Sequence, residues 1–164
     1  EYICGKRGEE RMYTNNYYTI ARNDYLFLQS IKDSNFYNKI AVEAQQVAEK
    51  YLKHIVDCFC FEHPAAERTL KTHNLVNLYR IIEDCAIALD LDEGSLSILK
   101  DYYFNAKYPG DEFIVVTKDR AEKCVLMVEE IREKIEGFLA TNQYCTKCGL
   151  KLNQEGNCTN QFCS

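Results

Sequence analysis

Between Ala41 and Lys53 the chain reads AVEAQQVAEKYLK, with small or apolar residues at Ala41, Ala44, Val47, Ala48, Tyr51 and Leu52. Steps of three and four residues place them on one face of an α-helix. Ile55, Val56 and Phe59 continue the phase, while Glu43, Gln46, Glu49, Lys50, Lys53 and Asp57 point elsewhere. An apolar stripe of about five turns must be covered from several directions. Its alanines allow close approach, because a methyl group holds neighbouring backbones nearer than leucine would. The stretch therefore predicts an all-α protein, an antiparallel up-and-down bundle of four to five helices built around this segment.

The flanking segments supply the cover. Tyr17, Ile20, Ala21, Tyr25, Leu28 and Ile31 recur at helical steps and predict a first helix. Asp33-Ser34-Asn35 turns the chain, with Ser34 or Asn35 expected to cap the central helix. In FEHPAAERTLKT, Phe61 to Thr72, Pro64 removes a donor and restricts Glu62-His63, so this is a connector with at most a short helical turn. Leu75, Leu78, Tyr79, Ile82 and Ala86 predict a third helix over His73 to Ala88. The acidic stretch Asp90 to Ser95 reads as a loop. Leu96, Leu99, Tyr102, Tyr103 and Ala106 make a fourth helix that stops before Pro109. FIVV, inside Gly110 to Val116, is β-branched but has no evident partner strand, and is expected to be an extended loop packed on the bundle. Ala121, Cys124, Val125, Val128, Ile131, Ile135, Phe138 and Leu139 share one face of a fifth helix over Thr117 to Ala140.

A length of 164 residues fits one domain with an appendage. The expected division is an N-terminal extension over 1–16, the bundle over 17–140 and a separate tail over 141–164. Because the chain opens on Glu1 and carries Met12 further in, residues before about Tyr13 are set aside from the fold reading. Twenty Lys+Arg against 25 Asp+Glu leave a net charge of -5, which argues against broad attraction to nucleic acid or an anionic membrane and makes any RNA contact local. No run is apolar and long enough for a membrane span or an export signal, so a cytoplasmic protein with no membrane partner is expected.

The nine cysteines divide unevenly. Cys4, Cys58, Cys60, Cys85 and Cys124 are scattered, mostly in apolar helical contexts, where a free thiol acts as a small hydrophobe. The other four form two pairs, Cys145-Thr-Lys-Cys148-Gly and Cys158-Thr-Asn-Gln-Phe-Cys163, a pattern suited to tetrahedral thiolate coordination. Gly149 permits the tight turn after the first pair. The reading is a zinc-ribbon-like tail holding a structural Zn²⁺, with no open position for catalysis; disulfides are the alternative, disfavoured in a reducing compartment.

Four landmarks now stand in fixed order: QQVAEKYLK at Gln45 to Lys53, THNLVNLYR at Thr72 to Arg80, DYYFNAKYPG at Asp101 to Gly110, and the Ala/Glu-rich last helix from Lys118. Together they resemble a HEPN domain over Tyr17 to Leu139. The resemblance implies a helical bundle, a homodimer, and a minimal nucleotidyltransferase as partner, in a toxin-antitoxin or defence setting. Some HEPN members are metal-independent ribonuclease toxins. Others are non-catalytic and were proposed to bind nucleotide or the transferase's substrate.

Two sets of residues follow. Arg68 and His73 have the Arg-then-His spacing of the ribonuclease members: histidine can move the 2′-hydroxyl proton and arginine can stabilise the phosphorane charge. The pair falls earlier in the domain than the family's catalytic pair does, and His73 matches the T-H-L position of the non-catalytic branch. The second set is a nucleotide site of Glu49, Lys50, Lys53, Tyr103, Lys107 and Tyr108, in which lysines meet phosphate and tyrosines stack on a base. Lys107 stands where that branch has Arg before Tyr-Pro, so it keeps the charge but loses the bidentate fork. Against both stands the plainer reading, a solvated face with a structural Glu49 ion pair. The sequence thus favours a non-catalytic nucleotide- or RNA-associated module, with a ribonuclease using Arg68 and His73 and a zinc-tailed protein-interaction module as alternatives.

Overall fold

The computed structural model describes residues 16–160 and Cys163. Six helices lie within that range: α1 (Tyr17–Ile31), α2 (Tyr37–Phe59), α3 (Ala66–Leu70), α4 (Leu75–Asp84), α5 (Glu93–Asn105) and α6 (Lys118–Thr141). The bundle is all-α, as the sequence predicts, and the short α3 is the helical turn of the Pro64 connector. The N-terminal extension lies outside the described residues except for Asn16, as does Cys4.

α2 is the axis of the bundle, packing against α1, α4, α5 and α6. Ala41, Ala44, Val47, Ala48, Tyr51, Leu52, Ile55 and Val56 are all fully buried. The cover comes from Tyr18 and Leu28 of α1, Leu75, Leu78 and Ile82 of α4, Leu96 and Leu99 of α5, and Val128, Ile135 and Leu139 of α6.

Side-chain caps fix most helix starts by taking up N–H groups that have no partner inside the helix. Asn16 accepts from Thr19, Asn74 from Asn77, Asp92 from Ser95 and Thr117 from Arg120. The central helix differs. It begins at Tyr37, and its N-cap, Phe36, makes no side-chain cap bond. Ser34 Oγ instead accepts from the Phe36 N–H at 3.3 Å, one position ahead of the helix, so the expected Ser34 or Asn35 cap is not formed. α5 also starts earlier than expected, because Asp92 caps it and draws Glu93 and Gly94 into its first turn. α4 ends at Asp84, and Ala86 then takes a left-handed backbone with φ of 58°.

The FIVV segment is extended and no strand forms among the described residues. Asn38 at the start of α2 holds it: the Asn38 amide donates to the carbonyls of Ala106 and Ile114 at 3.0 and 2.7 Å, and its oxygen accepts from Val116 N–H at 2.9 Å. Val116 is thereby buried while Val115 is 72 % exposed. Among the described residues, no helix is long and apolar enough to cross a membrane.

Candidate functional site

His73 is the residue on which the polar features converge. Asn74 is the N-cap of α4, which leaves His73 just ahead of the helix, between α2 and α5. Its Nδ1 lies 3.1 Å from both carboxylate oxygens of Glu49. Its ring stacks on Tyr103 with centroids 3.9 Å apart and planes inclined by 12°. Glu49 is itself buried and has further partners: Lys53 Nζ at 2.7 Å and the Gln45 amide at 2.9 Å. The same amide reaches the His73 carbonyl at 3.3 Å. All three α2 residues stand on one face at helical spacing, and all are buried. A carboxylate with this many donors is fixed in place. With Nδ1 engaged by Glu49, Nε2 is the ring nitrogen left for another partner.

Beside this dyad lies an open cleft of about 390 Å³, bounded by Thr72, His73 and Asn74 on one side and Lys100, Tyr103 and Phe104 on the other. Lys100 pairs with Asp101 at 2.9 Å, so the cleft is polar but nearly balanced in charge. One turn on, Lys107 Nζ sits 5.2 Å from the Tyr103 ring centroid and 5.3 Å from that of Tyr108, within cation–π range. Phe104 and Tyr108 are 58 % and 51 % exposed and offer open ring surface, whereas Tyr103 is already covered by His73.

The sequence-predicted nucleotide residues therefore separate. Glu49 and Tyr103 touch His73, Lys53 reaches it through Glu49, and Lys107 and Tyr108 stand beyond Tyr103. Lys50 is not among them: it forms an ion pair with Asp24 of α1. Lys53 is buried, its ammonium engaged by Glu49 and set 5.9 Å from the Tyr17 ring centroid. Arg68 lies exposed on α3; no ion pair or hydrogen bond joins it to His73 among the described residues. Phe104 and Lys100 were not singled out from the sequence. The signal for Phe104 was present in the run Tyr102-Tyr103-Phe104, which is too long for one helix face to bury.

The second site is the tail. The sulfur atoms of Cys145, Cys148, Cys158 and Cys163 all lie within 4.8 Å of one another. Cys145 and Cys163 are 3.6 Å apart, Cys148 and Cys158 3.5 Å. Tetrahedral coordination with metal–sulfur bonds of about 2.3 Å places sulfurs roughly 3.8 Å apart, so this set can hold a metal ion. All four are free thiols. Gly149 has φ of 74°, and its N–H donates to the Cys145 carbonyl at 2.7 Å, closing the turn. Lys147 N–H points at Cys145 Sγ at 3.4 Å. Burial opposes ionisation of Cys145, but the N–H groups of Lys147 and Cys148 and the neighbouring thiols outweigh it and lower the pKa to about 7.

Of the scattered cysteines, Cys60 and Cys124 are buried among apolar residues, and burial raises both thiols, Cys124 to about 12. Cys58 departs from the free-thiol expectation and is disulfide-bonded.

The knuckle is seated on the bundle. Tyr18 donates its hydroxyl to the Thr146 carbonyl at 2.5 Å, Asn16 its amide to the Cys148 carbonyl at 3.2 Å, and Arg22 its guanidinium to the Lys147 carbonyl at 2.5 Å. Beneath Gly149 lies His54, 1 % exposed, with its pKa lowered to about 4 by burial. A Cβ on Gly149 would come within 2.8 Å of that ring.

These features define a class: an all-α bundle with a histidine fixed at a helix start by a carboxylate on the central helix, beside an aromatic cleft. The family model of the HEPN domain matches residues 15–138, and the chain belongs to that family. No curated protein and no solved structure matches it.

Proposed function

We propose that this HEPN domain is a binding module for a nucleotide or the end of an RNA strand, and that the ligand lies in the cleft beside His73. The observation that carries this reading is the fixed imidazole: Glu49 locks Nδ1, Tyr103 backs the ring, and the cleft opens beside it. Phe104 and Tyr108 supply open rings for a base, and Lys107 supplies the exposed cation for a phosphate. Lys53 serves indirectly, by neutralising Glu49. The balanced charge of the cleft favours a small ligand over a long phosphate backbone.

In this reading the domain does no chemistry and serves a nucleotidyltransferase partner as a homodimer, in a toxin-antitoxin or defence setting. The tail metal is Zn²⁺ in a structural role, because four thiolates leave it no open position. ATP and short RNA oligonucleotides should raise the melting temperature of the protein, and the shift should disappear in Lys107→Ala and Tyr103→Ala. No shift with any nucleotide or RNA would refute the reading.

One observation keeps a ribonuclease reading alive: a carboxylate-held imidazole is suited to proton transfer. The exposed Arg68 gives that reading less support, since no contact ties it to His73. RNA cleavage lost in His73→Ala and retained in Arg68→Ala would place the chemistry on the Glu49–His73 pair.

A further inference from the structure

The two sites are joined by a short chain of contacts through the start of α1. The knuckle's outer turn hands three carbonyls, those of Thr146, Lys147 and Cys148, to Tyr18, Arg22 and Asn16. Asn16 is also the N-cap of α1, accepting from Thr19 N–H at 2.8 Å. The first two turns of α1 are thus pinned by the metal-site turn. Tyr17, at the first helical position, covers Lys53. Lys53 holds Glu49, and Glu49 holds His73. His54, next to Lys53 on α2, is packed under Gly149 with its ring 5.1 Å from that of Tyr18.

A loop held by four thiolates with little apolar surface of its own depends on its metal for shape. Without the metal, the three carbonyls are no longer presented together, and the first turn of a helix is the part that frays first. We propose that metal binding by Cys145, Cys148, Cys158 and Cys163 keeps the His73 site in order, through the first turns of α1 and the Tyr17–Lys53–Glu49 contacts. Metal occupancy then sets ligand affinity at a cleft whose residues include none of the metal ligands. This rests on the reading of the cleft as a ligand site.

The test uses the full chain in zinc-loaded, chelator-stripped and zinc-restored forms, with helix content checked by circular dichroism. Amide hydrogen exchange reports the first turns of α1, the imidazole nitrogen resonances of His73 report its bond to Glu49, and ATP titration reports the cleft. Stripping should speed exchange at residues 17–22, shift the His73 resonances and weaken ATP binding about tenfold, the scale of one or two lost hydrogen bonds. Zinc should restore all three. Tyr18→Phe keeps every metal ligand; it should retain its zinc yet speed exchange at the same residues about fivefold, as loss of one hydrogen bond does.

Unchanged exchange in α1 on stripping, or faster exchange there with His73 unmoved, would overturn the coupling. Failure of the loaded protein to bind ATP would count against the binding reading alone. The His73 resonances would then still decide whether metal and cleft are linked.

Discussion

Nδ1 of His73 lies 3.1 Å from each carboxylate oxygen of Glu49, a bond between two elements 24 positions apart in the chain. Glu49 is simultaneously paired with Lys53, and both side chains are less than a tenth exposed. The carboxylate is therefore the node on which a buried cation and the cleft imidazole both depend.

Glu49→Gln should be costly because it leaves the Lys53 ammonium buried without its counter-charge. Breaking one partner of a buried pair costs about 3 kcal/mol or more. Glu49→Gln combined with Lys53→Met removes both charges and should recover at least half of that loss. Urea denaturation of the two variants measures the difference, and a double variant no more stable than the single one would show that the pair is not the source of the cost.

Asn38 makes three hydrogen bonds to the segment between α5 and α6, at the carbonyls of Ala106 and Ile114 and the N–H of Val116. Asn38→Ala should cost about 2–3 kcal/mol, since each lost bond is worth roughly 1 kcal/mol and buried backbone groups are left unpaired. The effect should be local. Hydrogen exchange should rise at Ile114 and Val116 while the α1 amides stay protected.

The tail predicts one metal ion per chain, bound through four thiolates. Elemental analysis of the purified protein should find about one equivalent of zinc, lost in Cys148→Ser. Cys60→Ser and Cys124→Ser should leave metal content unchanged, because those thiols are buried in the helical core. Retained metal in Cys148→Ser would remove this residue from the ligand set.

The order of the five longer helices was legible because apolar residues repeat at helical steps on each of them, and because the alanine-bearing stripe of α2 demands cover on several sides. Helix starts were less so. The turn residues Ser34 and Asn35 were expected as caps, but α2 starts later, at Tyr37, with Phe36 as an N-cap that makes no side-chain bond. The four tail cysteines were readable from spacing alone, since a metal imposes local geometry on nearby residues. The partners of Glu49 show the limit. Lys53 is four residues on and could be paired from the sequence, whereas the bond to His73 depends on how α4 enters beside α2. Spacing drew attention to Arg68 with His73, but the fold gives His73 to Glu49 and Tyr103 instead. Lys50 and Lys53 look equivalent on a helical wheel, and the path of α1 separates them by offering Asp24 to one and the Tyr17 ring to the other.

Gly149 meets two constraints at once, and they can be separated. Its φ of 74° is strained for any residue with a Cβ, and a Cβ there would lie 2.8 Å from two atoms of the buried His54 ring. Gly149→Ala should therefore carry a conformational cost of about 1–2 kcal/mol and a steric cost of about 1–3 kcal/mol. The nearest neighbour that would have to yield is a fully packed imidazole between Tyr18 and the knuckle, with Tyr18 Cβ next at 3.0 Å. His54→Ala makes room at that position but leaves the backbone unchanged. Added to Gly149→Ala, it should relieve the His54 share of the steric cost and leave the 3.0 Å approach to Tyr18 Cβ, so the two substitutions together should cost less than the sum of their separate effects. A double-mutant cycle by chemical denaturation, at saturating zinc, measures that coupling. Strict additivity would mean that the knuckle is not seated on His54.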